Sequence, residues 1–380
     1  MSPTPVTFTD PGQPASYSWE ATNEEVAARY GVPIDSIVRF DLNTSPAPPD
    51  LIGRLIAAGR FVAPMSEYPP ADYGRLTAAA AARYGVEPGE LIVGAGADEI
   101  LDIITKAFLP VGGSALIPVP TYAMYRVDTE QRGATVVPVP RLRDRAWILD
   151  LPAVRAAARA VDVVWLCSPN NPTALAEPDG AIAELLVGIL GDAVADGRTP
   201  PIVVLDEAYA EFTGRSLAGL RTDYQNLIVI RTASKAYALA GLRVGFAIAR
   251  PELIARMNPY RPPGSVSVVS VTMVTEALLD DTILHANLER VAVERERLAT
   301  ALRELGWSVG PSVTNFLLVD FGSAEAATVV SEGLLHHGLV PRTFPEGHPL
   351  VDHLRITVRD RGENDRFIAA ARSLATEARP

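Results

Sequence analysis

Lys235 stands in Arg231-Thr-Ala-Ser-Lys-Ala-Tyr-Ala-Leu-Ala-Gly-Leu-Arg243, a lysine flanked by hydroxyls and closed by an arginine. A neutral lysine amine condenses with an aldehyde to an imine, and burial or nearby positive charge promotes the neutral form. Thr232 and Ser234 supply hydroxyls, and Arg243 supplies a guanidinium suited to bidentate contact with a phosphate. The chain otherwise avoids lysine: of its 34 basic residues only Lys106 and Lys235 are lysines. Lys106 falls in the amphipathic stretch Glu99-Ile-Leu-Asp-Ile-Ile-Thr-Lys-Ala-Phe-Leu109 and reads as a solvated helix face. Lys235 reads as chemistry.

Two further clusters have chemical character. Gly94-Ala-Gly-Ala-Asp-Glu99 follows an apolar run and opens a helical pattern. The free N–H groups of Ala97 and Asp98 and the helix dipole favour a phosphate there. The same glycines would also serve a plain strand-to-helix turn. The third glycine of a dinucleotide fingerprint is missing, which argues against NAD. Leu205-Asp206-Glu207-Ala208-Tyr209 ends another apolar run. A carboxylate at the tip of a buried strand is costly unless a cation or several donors meet it. A protonated pyridine nitrogen is such a cation; an Asp that caps the next helix is the simpler alternative.

The elements that must hold these clusters alternate. β-Branched runs at Glu90–Val93, Ser114–Pro118, Thr135–Val139, Asp162–Leu166, Ile202–Leu205, Leu227–Arg231 and Gly245–Ala249 predict strands. Ala-rich helical patterns such as Leu76–Tyr84 and Leu151–Ala160 lie between them, the pattern of a mostly parallel seven-stranded sheet covered by helices. Ligands of such sheets bind at the carboxyl ends of the strands. Beyond Pro259–Pro263 comes a long helical region around Val291-Ala-Val-Glu-Arg-Glu-Arg-Leu298. Strands at Asn315–Asp320 and Leu354–Val358 then flank a helix at Ala324–His336. The organisation expected is an N-terminal arm (1–45) partly joining the small domain, a large domain (46–265), and a smaller α/β C-terminal domain (266–380). Low complexity is limited to the Ala-rich helices and the Pro-rich turn Pro46–Pro49.

Composition excludes several classes. The 380 residues are 48% apolar and 21% charged, as in ordinary globular enzymes. A net charge of −11 opposes nucleic-acid binding, which needs a basic field. No apolar run approaches the ~20 residues that span a bilayer, and residues 1–10 carry no secretory signal. A single cysteine, Cys167, permits no internal disulfide and suits a reducing cytoplasm; in its apolar run it reads as a small core residue. The five histidines show no metal-ligand spacing and no CxxC accompanies them, so no metal is expected.

Ser168-Pro-Asn-Asn-Pro-Thr173, together with Asp206-Glu-Ala-Tyr209 and Thr232-Ala-Ser-Lys…Gly-Leu-Arg243, closely resembles the fold-type I pyridoxal-5'-phosphate (PLP) aminotransferases. Within them the chain is most similar to the histidinol-phosphate aminotransferases, from Tyr68-Pro through Leu354-Arg-Ile-Thr-Val358. The resemblance implies that Lys235 carries PLP as a Schiff base and shuttles a proton, and that Asp206 keeps the pyridine nitrogen protonated. It further implies that Asn171 and Tyr209 bond the phenolic oxygen and that Tyr122 stacks on the ring. Ala97, Asp98, Thr232, Ser234 and Arg243 would hold the phosphate, joined by Tyr68 from the other subunit of a homodimer. Arg355 and Arg342 would bind the anionic end of the substrate, with Tyr17 assisting and Asn171 nearby. The implied reaction is transamination between histidinol phosphate and 2-oxoglutarate, giving imidazole-acetol phosphate and glutamate, in histidine biosynthesis. A broad aromatic-amino-acid aminotransferase and a threonine-phosphate decarboxylase share the fold and stay open. Departures touch the substrate side. Ala174 stands where the family has glycine, so the loop backbone is expected to differ; Asp41-Leu-Asn-Thr-Ser-Pro46 and Pro263-Gly264 also differ from the family pattern.

Overall fold

The computed structural model describes residues 15–45, 50–61 and 63–377. Residues 1–14 of the arm and the Pro46–Pro49 turn lie outside the described residues. The strands, in chain order, begin with β1 (Val38–Arg39), β2 (Leu91–Gly94), β3 (Ser114–Val119) and β4 (Thr135–Pro140). They continue with β5 (Val163–Cys167), β6 (Ile202–Asp206), β7 (Leu227–Thr232) and β8 (Gly245–Ala249). The last are β9 (Ser308–Val309), β10 (Phe316–Asp320), β11 (Leu339–Val340) and β12 (His353–Thr357). The large sheet has the order β2-β8-β7-β6-β5-β3-β4. Neighbours from β4 through β7 are parallel, and β8 runs antiparallel to both β7 and β2. The α/β, mostly parallel sheet expected from the sequence is the one observed.

Side-chain alternation divides the core into two layers, one on each face of the sheet. On β5, Val164 and Leu166 enter one cluster while Val163, Trp165 and Cys167 enter the other. On β7, Leu227 and Val229 part from Ile228 and Ile230 in the same way. Each such side chain, fully buried, contributes ~1.5–3 kcal/mol. Continuous apolar strands are therefore required, and polar residues are left to the strand ends, where Asp206 and Thr232 stand.

Several boundaries move. Glu90 ends a 3₁₀ turn (Pro88–Glu90) rather than starting β2, and the helix from Leu151 stops at Ala157 before another turn, Ala158–Ala160. The long helical region is two helices, Val268–Leu279 and Asp281–Glu304; Asp280 breaks it because its carboxylate caps the second by accepting from the Thr282 N–H. Ala174 keeps a left-handed backbone, φ 68°, so the loop retains a glycine-type conformation instead of departing from it. Its N–H to Asn170 and its carbonyl from Val313, both 2.9 Å, hold it there.

The apolar cores change partner inside the helix Asp281–Glu304. Val266, Met273, Val274, Ile283 and Leu284 pack into the large-sheet core, whereas Leu298, Ala299 and Leu302 pack with β10 and β12. Val38 and Phe40 of the arm belong to this smaller core, and β1 pairs with β11 in parallel.

One close approach fixes the end of β8 against the helix Gly96–Phe108. A Cβ on Gly245 would lie 2.4 Å from the Gly96 carbonyl carbon and 2.5 Å from the Ala97 nitrogen, both main chain. Gly245→Ala must push that helix start aside. It should lower apoprotein stability by about 1–3 kcal/mol in urea unfolding; a loss below about 0.5 kcal/mol, within the range of ordinary surface changes, would show that the turn yields freely.

Candidate active site

Every chemical cluster converges on one cleft of about 650 Å³ at the carboxyl edge of the large sheet. Lys235, Asp206, Tyr209, Ala97, Asp98, Tyr122, Asn171, Thr232, Ser234, Arg243, Tyr17, Arg342 and Arg355 all line it. Tyr68 alone of the expected residues does not; its side chain is 93% exposed beside Gly264.

Asp206 ends β6 and is buried. The Tyr125 hydroxyl donates to its Oδ2 at 2.6 Å and the Ala208 N–H to its Oδ1 at 2.9 Å. Burial raises its pKa, and these two donors offset that only partly. Among the described residues no cation lies within ion-pair distance of it. Lys235 faces the same space, its Nζ 5.9 Å from the Tyr209 ring centre. Enclosure lowers its amine to about 8, helped by Arg355 and Arg243 and opposed by Asp98 and Asp206. The amine is therefore partly neutral near pH 7.5 and competent to attack an aldehyde.

The phosphate-type corner forms where the helix Gly96–Phe108 begins. Ala95 gives no side-chain cap, so the first N–H groups of that helix have no intrahelical partner. Gly96 adopts φ 82°, and a Cβ there would meet the Arg243 guanidinium at 2.5 Å. Arg243 is itself left-handed, φ 51°, and its Nη2 donates to Asp98 Oδ2 at 3.0 Å. The Thr232 and Ser234 hydroxyls lie 2.9 Å apart at the end of β7. Tyr122 donates its hydroxyl to Asp98 Oδ1 at 3.0 Å and stands edge-on to Tyr125.

Arg355 and Arg342 form the opposite wall. Their main chains exchange two hydrogen bonds of 3.0 Å across an antiparallel bridge, which places both guanidinium groups in the cleft. Arg355 is buried; it donates to Asn171 Oδ1 at 2.6 Å and to the Asp41 carbonyl, and its Nε has no partner. Burial lowers its pKa, and Arg342 lowers it further. Arg342 lies over the Tyr17 ring, donates to the Ser18 carbonyl at 2.7 Å, and has Glu20 at 3.6 Å.

These residues fit PLP. A buried carboxylate without a cation, a partly neutral amine, and a helix start with arginine and hydroxyls match a cationic ring nitrogen, an aldehyde and a phosphate respectively. The comparisons with known proteins agree. Residues 62–370 match the family described as aminotransferase class I and II. The chain belongs to that family. This aminotransferase is 34% identical over 364 residues to a histidinol-phosphate aminotransferase of Symbiobacterium thermophilum, covering 93% of this chain and 94% of that one. A Thermococcus gammatolerans protein of the same name is 37% identical over 292 residues, 77% of this chain and 78% of the other. Among solved structures, the Sinorhizobium meliloti histidinol-phosphate aminotransferase in complex with pyridoxal-5'-phosphate superposes with a TM-score of 0.82. It is 26% identical, with 95% of this chain and 96% of that chain covered.

The sequence did not single out three residues of this aminotransferase that the fold brings in. Tyr125 contacts Asp206, Asn43 donates to the Tyr209 hydroxyl at 3.0 Å, and Trp19 lines the mouth. Tyr125 lies in the helix Met124–Gln131 and Tyr122 in the loop before it, so no spacing along the chain pointed to Tyr125. Cys167 lines the cleft as well as the core; burial raises its thiol to about 12, which leaves it unreactive. Asp320, Asp352 and His353 also meet, outside the cleft, where Asp352 accepts from Arg143 at 2.6 Å and its other oxygen lies 2.5 Å from His353 Nδ1.

Tyr125→Phe keeps the ring, stacked on Trp165 at 5.4 Å and 3°, but removes a donor from a buried carboxylate. The expected cost is about 1–3 kcal/mol of apoprotein stability at pH 7, read by urea unfolding. An unchanged midpoint would mean that Asp206 is already protonated without it.

Proposed function

We propose that this chain binds PLP at Lys235 and transfers an amino group between histidinol phosphate and 2-oxoglutarate, giving imidazole-acetol phosphate and glutamate, in histidine biosynthesis. The observation that carries the substrate reading is the pair of arginines. Two like charges directly opposite on paired strands repel, and one of them is buried with an unpartnered Nε. An anion at the end of the substrate relieves both costs. Histidinol phosphate and glutamate each present one, and the curated relatives of the same length carry that activity in their names.

PLP, when bound, supplies the electron sink for the reaction. The residues do the rest. Asp206 would accept the ring N–H and keep that nitrogen charged. The helix start at Ala97 and Asp98, with Thr232, Ser234 and Arg243, would hold the phosphate. Asn171 and Tyr209 would bond the ring oxygen, and Tyr122 would pack on the ring. Lys235, with its amine near 8, would take the proton from the substrate carbon and deliver it to the cofactor's aldehyde carbon, a transfer that amino-group exchange requires. Arg355 grips the anion, and Arg342, steadied by Glu20 and Tyr17, closes the mouth.

The expected enzyme is yellow, and borohydride fixes the cofactor to Lys235, with Lys106 as the competing lysine for peptide mapping. Rates with histidinol phosphate, phenylalanine, tyrosine and threonine phosphate, each with 2-oxoglutarate, test the substrate. Arg342→Ala should reduce kcat/KM for histidinol phosphate by about 2 kcal/mol, roughly thirtyfold, and that for phenylalanine much less. A wild type that prefers phenylalanine, or equal losses on both substrates, would replace this reading with the aromatic aminotransferase; CO2 release from threonine phosphate would replace it with the decarboxylase.

The same reading includes a cytoplasmic homodimer in which Tyr68 reaches the phosphate of the partner's site. Its support is an exposed tyrosine in Glu67-Tyr-Pro that does not line the cleft of its own chain. The acidic net charge and single cysteine suit the cytoplasm. Among the described residues no helix is long and apolar enough to cross a membrane. Mixing Lys235→Ala with Tyr68→Ala chains should restore activity, since one site of each heterodimer then has both residues intact. No recovery on mixing would place Tyr68 outside the reaction.

A further inference from the structure

Lys235 does not sit in a helix or a strand. It stands in an irregular turn closed by the Ala238 N–H to the Lys235 carbonyl at 3.1 Å and the Leu239 N–H to the Ala233 carbonyl at 3.2 Å. Ala238 is left-handed there, φ 57°. A turn of this kind cannot satisfy all its carbonyls itself, and buried ones need donors from elsewhere. For Ala236 the donor is Asn287: its Nδ2 lies 2.7 Å from the Ala236 carbonyl and 3.2 Å from Ser45 Oγ. Ser45 in turn donates to the Lys235 carbonyl at 3.4 Å. Arg290 donates to Asn287 Oδ1, which fixes the amide with Nδ2 toward the lysine turn.

The place of Asn287 along its helix gives this contact its meaning. In Asp281–Glu304, Ile283 and Leu284 pack into the large core, while Leu298, Ala299 and Leu302 pack into the small one. Asn287 is buried where the helix leaves the first core and before it enters the second. A single side chain thus links the lysine turn, the N-terminal arm through Ser45, and the helix shared by the two domains.

We propose that Asn287 is a positioning residue for Lys235, fixing the main chain of the lysine turn through Ala236 and Ser45. It touches neither cofactor nor substrate and acts through the placement of the lysine amine. Loss of the Nδ2 donor frees the Ala236 carbonyl, and the amine then samples positions away from the substrate carbon. The inference rests on the cofactor reading of Lys235.

The first step of the test is borohydride reduction of wild-type holoenzyme with peptide mapping; no label on Lys235 would end the cofactor reading whatever Asn287 does. With that label in hand, Asn287→Asp keeps the shape without the donor, Asn287→Leu removes both polar atoms, and Ser45→Ala is the mild variant should either fail to fold. The expected result is a kcat for glutamate that falls about ten- to hundredfold in the Asn287 variants, as for a misplaced reacting group. KM for glutamate and 2-oxoglutarate stays within about twofold, because no binding group is removed. In the apoenzyme, amide exchange in a peptide covering 233–239 is faster in the variants than in wild type. Ser45→Ala moves both readouts the same way by less. A kcat within about twofold of wild type with unchanged exchange overturns the proposal, as does a loss carried by KM with kcat intact.

Discussion

Three charged groups, Asp206, Lys235 and Arg355, are enclosed in one cleft without forming ion pairs with one another. Asp206 has only a phenol and an amide N–H as donors, Arg355 has an amide and a main-chain carbonyl as acceptors, and the amine of Lys235 is pressed toward neutrality. Removing charge from water costs several kcal/mol per group, and neutral hydrogen bonds return only part of it. The cleft thus holds unmet electrostatic demand of both signs. A ligand with a cationic ring and anionic ends answers it, and the rest of the molecule is arranged to keep those groups from answering one another.

The large sheet carries that cost. Its central strands are buried throughout, and the alternation of their side chains into two core layers supplies the apolar burial that lets Asp206 and Thr232 stand at the strand ends. The arginine wall comes from a different core. β12 brings Arg355, and the main-chain bridge to Arg342 sets the second guanidinium beside it. The arm adds a third contribution: Glu20 accepts from the Thr343 N–H at 2.8 Å and from its hydroxyl at 2.9 Å, and Tyr17 lies under Arg342. The Lys235 and Asp206 side of the cleft and its arginine wall are therefore built by separate packing units, joined through the helix Asp281–Glu304.

That division gives the departures from the family pattern their physical setting. Ala174 keeps a left-handed backbone because neighbouring main-chain bonds hold it, so a missing glycine leaves the loop in place. Gly245 cannot give way similarly, since a Cβ there would strike the Gly96–Ala97 main chain. Backbone close to a ligand corner tolerates less change than backbone in a supported loop.

The sequence by itself determined the alternating strands and helices, and it singled out the helix start at Gly96 and Lys235, Asp206 and Arg243, which share one cleft, because each is a local pattern of type and spacing. Continuous apolar runs, glycine before a helix, and hydroxyls around a lysine are written in consecutive residues. What only the tertiary structure decided is which distant side chains complete each charge. Tyr125 reaches Asp206 across 81 positions, Asn43 reaches Tyr209 across 166, and Asn287 reaches Ala236 across 51. Hydrogen-bond partners of buried groups are chosen by packing between elements, and no spacing along the chain encodes them. The same reason sets the change of core inside the helix Asp281–Glu304: composition marks where a chain turns, and packing decides which core the residues beyond the turn will join.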